Sequence, residues 1–323
     1  MQINSDKAET THVVGGDDRA MKVLVLGGTG MLGHKVFQHL TKMGKNTYCT
    51  IQGSKAQAYD QYLRELQSPK VIEGVSAMDF EALRNTLVEV CPDVIINCIG
   101  IIKQRDAAQS PIPSMKINSF LPHMLAEWSA HWGGRVIHFS TDCVFTGRRG
   151  SYSEEDRSDA EDLYGKSKFL GEVQSSNAIT LRTSIIGREL NHHQSLLDWF
   201  LLQEGKTIDG YTKAIYSGVT TNHLSEVVNW LIDKHPSLSG LFQVVSTPIS
   251  KYELLCKLKT AYDLNINITP TEGEVCDRSM LGDKFHSVTG YKCDTWDMLV
   301  TQLAKDDTPY RSLCSVAQNA KAL

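Results

Sequence analysis

Apolar residues along this chain fall in short continuous runs separated by stretches of helical period. Residues 21–27 read Met-Lys-Val-Leu-Val-Leu-Gly, an apolar run closed by glycine and the mark of a strand buried on both faces. Runs at 46–51, 70–75, 93–98, 135–140 and 178–183 predict five more strands. Helical periodicity is expected over 31–43, 79–90, 114–131 and 164–174. In the second of these Asp79 is placed to cap the helix, with Phe80, Leu83, Leu87 and Val90 on one side. Strand–helix alternation sustained over about 160 residues predicts an α/β fold, a doubly wound parallel sheet covered by helices on both faces.

The rhythm changes after residue 186. Helices are expected at 195–203, 222–233, 251–262 and 295–304, and short strands at 240–245 and 265–269. The expected organisation is a flexible N-terminal extension (1–20), a dinucleotide-binding domain (21–186), a smaller C-terminal α/β substrate lobe (187–310) and a tail (311–323). Strands are free to cross between the lobes.

Composition narrows the class. With 41% hydrophobic and 22% charged residues, the 323-residue chain is ordinary for a globular protein and can bury a large core. A net charge of -4 with both signs dispersed provides no footprint for nucleic acid or an anionic membrane. The first 20 residues lack the apolar stretch of a secretory signal, and no apolar run has the length of a membrane span. None of the eight cysteines pairs as Cys-x-x-Cys, so they are read as reduced thiols of a cytoplasmic protein, with no zinc pattern. His192 and His193 sit in a polar loop without ligand spacing, and no metal is assigned.

Candidate chemistry begins at the first strand, which runs into Gly27-Gly28-Thr29-Gly30-Met31-Leu32-Gly33. Glycines there permit a tight turn and close approach to a pyrophosphate, and the following helix start offers free N–H groups. Such turns also end buried strands for purely structural reasons; the strand before and helix after favour the dinucleotide. An acidic residue at the end of the second strand would select NAD. The chain instead has Gln52-Gly53-Ser54-Lys55. Ser54 and Lys55 are placed to accommodate a 2′-phosphate, which favours NADP(H) over NAD(H), unless Lys55 is only a solvated loop lysine. Asn97, Cys98 and Gly100 end the fourth strand and should line the cofactor groove. Lys103, with Gln104 and Arg105, is either within reach of a substrate or solvated surface.

Tyr164 and Lys168 lie four residues apart and share a helical face. An ammonium beside a phenol favours the phenolate, so Lys168 is expected to lower the Tyr164 pKa and ready it for proton transfer. About twenty residues upstream, Ser140-Thr141-Asp142-Cys143-Val144-Phe145 ends the fifth strand. Ser140 belongs to the cofactor groove, and Thr141 is placed to hydrogen-bond the substrate oxygen that Tyr164 protonates.

Taken together, the glycine turn, Ser-Thr-Asp-x-Val-Phe, Tyr-Gly-Lys-Ser-Lys and Gly171-Glu172 resemble the extended short-chain dehydrogenase/reductases, in particular the dTDP-4-dehydrorhamnose reductase family, over roughly residues 21–300. The resemblance implies that Thr141 orients the substrate oxygen, that Tyr164 is the general acid, and that Lys168 binds the nicotinamide ribose. It also places Asn118 in support of the site, as an alternative to a polar helix face. Asp142 and Arg278 are implied on the substrate side, Arg278 as a diphosphate clamp or a structural ion pair. Trp199 and Tyr211 could stack on a base, although core packing suits Trp199 better. Cys143 stands where the family has an aromatic residue and where related dehydratases carry a glutamate. It is read as a packed thiol, and the substitution favours plain ketone reduction over dehydration.

The resulting expectation is a cytoplasmic NAD(P)H-dependent reductase of a nucleotide-linked 4-keto-6-deoxy sugar, of the kind used in dTDP-rhamnose and polysaccharide biosynthesis. Its partner is the nucleotide sugar, with a homodimer left open. The alternatives are a nucleotide-sugar epimerase that retains its cofactor, or a non-catalytic NADP-binding regulatory subunit like the β subunit of methionine adenosyltransferase.

Overall fold

The computed structural model describes residues 20–54, 68–102, 110–191 and 193–310. Lys55, Lys103, Gln104, Arg105, His192 and Cys314 lie outside the described residues, as do the extension up to residue 19 and the tail.

The apolar runs of the first half become β1 (Lys22–Leu26), β2 (Asn46–Thr50), β3 (Val71–Ile72), β4 (Val94–Asn97), β5 (Arg135–Thr141) and β6 (Ala178–Thr183). Between them lie α1 (Gly33–Lys42) and α2 (Phe80–Val90). The Asp79 carboxylate caps α2 by accepting from the Ala82 amide at 3.0 Å.

The stretch expected as one uniform helix is composite. It runs as an α turn (Pro111–Ser114), a π-helical segment (Met115–Phe120) and a second α segment (Leu121–Ala130), together α3. Proline explains the break, because Pro122 has no N–H to offer the Asn118 carbonyl one turn earlier. The helix that carries Tyr164 and Lys168 is α4 (Leu163–Leu170), capped by Asp162 on the Gly165 amide at 2.7 Å and ended at Gly171, shorter than its periodicity suggests.

The second half supplies β7 (Ile185–Ile186), α5 (Leu196–Leu201), β8 (Thr207–Tyr211), β9 (Ala214–Tyr216), β10 (Val219–Thr220) and α6 (Thr221–Lys234). It continues through β11 (Gly240–Gln243), β12 (Ile249–Ser250), α7 (Lys251–Ala261) and β13 (Asn267–Thr271). It ends with β14 (Cys276–Asp277), α8 (Asp283–Thr289) and α9 (Trp296–Ala304).

A seven-stranded sheet of order β11-β6-β5-β4-β1-β2-β3 forms the centre, and its pairings are all parallel. β11 reaches this sheet from the C-terminal half. One face buries Val23, Val25, Ile96 and Ile137 against Val36 and Leu40 of α1 and Leu224, Val228 and Leu231 of α6. The other buries Leu24, Leu26, Ile95 and Val136 against Leu83 and Leu87 of α2 and Leu121 and Leu125 of α3. Both faces are therefore dry, as continuous apolar strands require. A separate core joins Leu197 and Phe200 of α5, Leu254 and Leu258 of α7, and Trp296, Leu299 and Leu303 of α9. Around it β8 pairs with β13, β7 with β10, and β9 with both β12 and β14. Among the described residues no helix is long and apolar enough to cross a membrane.

Candidate active site

Strand order reverses between β1 and β4, so the crevice of this sheet opens at their carboxyl ends. There the chain turns through Gly27, at φ +81°, into Gly28, Thr29, Gly30, Met31 and Leu32 before α1 begins. A Cβ on Gly33 would lie 2.1 Å from the Gly27 carbonyl oxygen, so only glycine lets the helix start pack against the turn. The Met31, Leu32 and Gly33 amides open α1 and have no acceptor among the described residues. A cradle of unpartnered N–H groups at the positive end of a helix fits a pyrophosphate. Ser54 follows β2 at the same edge.

At the end of β4, Asn97 is buried and turned inward, its amide 3.1 Å from His138 Nδ1 and its Oδ1 accepting from Ile99 N–H at 3.2 Å. The half-buried Cys98 lies beside the glycine turn, 3.3 Å from where a Gly33 Cβ would stand, and burial raises its thiol pKa. Asn118 braces Gly100 and Ile101. Its Oδ1 accepts from the Ile101 amide at 2.9 Å, while its Nδ2 donates to the Ile101 carbonyl at 3.0 Å and to Ser167 Oγ of α4 at 3.1 Å. The π-helical turn carries Asn118 into this position. Gly171 matches it on the far side, where a Cβ would meet the Asn118 carbonyl oxygen at 1.9 Å.

β5 delivers Thr141 and Asp142 beside α4. The Thr141 hydroxyl donates to Asp142 Oδ1 at 3.0 Å and accepts from the Cys143 amide at 3.1 Å, with the Tyr164 phenol beside it. Desolvation pushes Tyr164 above its ordinary value, and the neighbouring Cys143 adds to the rise. The expected lowering by Lys168 does not occur. Lys168 is 6% exposed and donates from Nζ to the Phe139 carbonyl at 2.6 Å, so its ammonium is committed to the strand rather than to the phenol. Burial lowers the Lys168 pKa to about 8, against the pull of Glu172.

Behind α4 the Glu172 carboxylate receives Arg182 Nε and Nη2, each at 2.7 Å, and the Ser140 hydroxyl at 2.7 Å. Both charged side chains are 2% exposed. The Ser140 side chain therefore serves this pair and leaves only its main chain for the groove. The pair escaped the sequence reading, although arginine inside Ala-Ile-Thr-Leu-Arg-Thr was its signal: a charge in a buried strand requires an opposite partner.

From the second half, Arg278 reaches back to donate from Nε to the Phe145 carbonyl at 2.9 Å. Burial raises the Asp142 pKa, and the charge of Arg278 opposes the rise. Cys143 is pushed up to about 12 by burial, which makes its thiol a poor nucleophile. Trp199 is 41% exposed, contrary to its expected core role, because the register of α5 buries Leu197 and Phe200 instead. Tyr211 is exposed at the end of β8, and His193 Nδ1 lies 3.2 Å from Asp198.

Comparison with known proteins agrees with this architecture. The mouse (Mus musculus) methionine adenosyltransferase 2 subunit beta is 26% identical over 265 residues, spanning 75% of this chain and 72% of that protein. The dTDP-4-dehydrorhamnose reductase of Sinorhizobium fredii is 36% identical over 105 residues, 31% of this chain and 36% of that enzyme. The crystal structure of dTDP-4-dehydrorhamnose reductase from Bacillus anthracis in complex with NADP superposes with a TM-score of 0.72 at 20% identity, covering 88% of this chain and 99% of that one. The model of the RmlD substrate binding domain matches residues 21–254, more than half of the chain, and the protein therefore belongs to that family, with the Rossmann-type fold of the extended short-chain dehydrogenase/reductases.

Proposed function

We propose that the chain binds a nicotinamide dinucleotide, NADP(H) in preference to NAD(H), and reduces the ketone of a nucleotide-linked 4-keto-6-deoxy sugar in the cytoplasm. The observation that carries this reading is the convergence of Thr141, Tyr164 and Lys168 at the carboxyl end of β5. When bound, the dinucleotide supplies a hydride to the carbonyl carbon. Tyr164, held protonated by desolvation, gives its phenolic proton to the carbonyl oxygen, so the ketone becomes an alcohol and Tyr164 a phenolate that solvent reprotonates. Thr141 holds the reacting oxygen against the phenol. Lys168, anchored on Phe139, offers its remaining N–H groups to the ribose. Arg278, placed beside Asp142, clamps the substrate diphosphate.

The test is NADPH and NADH oxidation against a panel of nucleotide 4-keto-6-deoxy sugars. Tyr164→Phe should lower kcat by roughly 10²- to 10⁴-fold while leaving the cofactor Kd unchanged. Near-normal turnover in that variant refutes the mechanism.

A second reading has its own support. The match to methionine adenosyltransferase 2 subunit beta spans 75% of the chain, far more than the match to the Sinorhizobium reductase. On this reading the chain is an NADP-binding regulatory subunit. Copurification with a methionine adenosyltransferase catalytic subunit, together with no NADPH oxidation on any sugar of the panel, selects it.

A further inference from the structure

After α9 the chain runs back to the first turn of α1. Lys35 Nζ donates to Asp306 Oδ1 at 2.9 Å and to Thr308 Oγ1 at 3.0 Å, and Asn222 Nδ2 donates to Asp306 Oδ2 at 3.2 Å. These contacts seat Tyr310. Its ring meets His34 edge-on, with centroids 5.7 Å apart, and the Arg188 guanidinium lies 4.5 Å from the ring centre. Arg188 is itself held by Asp198 at 2.9 Å.

His34 joins this segment to the glycine turn. Its Nδ1 lies 2.8 Å from the Gly30 carbonyl oxygen and its Nε2 lies 2.9 Å from the Tyr310 hydroxyl. A carbonyl only accepts, so Nδ1 carries the proton. Burial lowers the His34 pKa to about 4, so the ring is neutral at physiological pH and Nε2 is an acceptor. The direction follows: Tyr310 O–H donates to Nε2 at 2.9 Å in preference to Asp306 Oδ2, 3.4 Å away, and Nδ1–H donates to Gly30. The Gly30 carbonyl and the Met31 N–H share one trans peptide plane and point in opposite directions. The same oxygen also accepts from the His34 main-chain N–H at 3.1 Å, so His34 holds it twice, and the Met31 N–H of that plane is aimed away from the imidazole.

We propose that His34 and Tyr310 are positioning residues for dinucleotide binding: the segment 306–310 is a latch that fixes the Gly30–Met31 peptide so that the Met31 amide meets the pyrophosphate. This rests on the dinucleotide-binding reading given above. The latch joins a residue about 280 positions from the turn to the orientation of one peptide, and Arg188 ties it to the loop after β7.

Calorimetric titration of the full chain tests it, using NADPH and adenosine 2′-monophosphate, which lacks the pyrophosphate. Tyr310→Phe should weaken NADPH roughly three- to tenfold, the worth of one hydrogen bond. Binding of adenosine 2′-monophosphate and the thermal midpoint should stay at their wild-type values. His34→Phe, which removes the same chain of bonds from its middle, should show the same selectivity. Unchanged NADPH affinity in both variants overturns the latch, as does equal weakening of the two ligands, which marks general disruption. If the wild-type chain binds no NADPH, the dinucleotide reading fails first and the latch with it.

Discussion

Lys168 carries a buried charge whose cost is readable as a pH dependence. Its titration moves from an ordinary 10.5 in the unfolded chain to about 8 in the folded one, because burial in α4 disfavours the ammonium. Between these values the unfolded chain binds the proton more tightly, so unfolding takes up a proton and stability rises with pH. At about 1.4 kcal/mol per pH unit, the full displacement corresponds to about 3 kcal/mol. That stability is fully present above pH 10.5 and is lost as pH falls through about 8. The perturbation is Lys168→Met, which keeps an unbranched chain in the same space and cannot titrate. The assay is urea unfolding of both proteins, without cofactor, from about pH 7 to about pH 10.5. Other titrating groups, including Tyr164 and the buried cysteines, cancel in the difference between the two proteins. Wild type should gain about 3 kcal/mol on the variant across this range. A flat difference, or one that falls as pH rises, refutes the claim that the amine sits desolvated on the Phe139 carbonyl.

Two further outcomes follow from the geometry. Glu172→Gln leaves Arg182 charged and 2% exposed without its counter-ion, and should cost about 3–5 kcal/mol in denaturant unfolding. Gly33→Ala forces a Cβ to within 2.1 Å of the Gly27 carbonyl and should lower stability by about 1–3 kcal/mol, with a matching loss of dinucleotide affinity in titration.

The centre of the sheet was legible because β1 and β4 are buried on both faces and therefore written in nearly uninterrupted apolar residues, as in Val23–Leu26 and Ile95–Ile96. The Asp79 cap was legible for a different reason: a short acidic side chain before a periodic run has one helical use. Gly240–Gln243 falls by position in the C-terminal lobe but joins the central sheet, since a strand does not name its partner and β6 lies about sixty residues earlier. The π-helical turn was invisible to periodicity, although Pro122 was its cause. Within the candidate site, local spacing brought Tyr164 and Lys168 onto one helix. It was silent on where the ammonium points, because the Phe139 carbonyl comes from another element. The same holds for Glu172 with Arg182 and for His34 with Tyr310. Each is a pairing across the fold between residues that look unremarkable in their own segments.

The extra residue wound into Met115–Phe120 has a consequence for how the helix can evolve or be trimmed. A π turn holds one residue more than the α turns around it, so the faces before and after it are offset by about 100° from a continuous helix. The upstream half can thus meet the loop at Ile101 while the downstream half keeps Leu121 and Leu125 in the core. Deleting a single residue there would draw the helix towards straight α geometry and set the Pro122 ring against the carbonyl four residues earlier. It would also force a choice between the Asn118 brace and the sheet, and tolerance of insertions and deletions at this point should be lower than anywhere on the outer surface of α2.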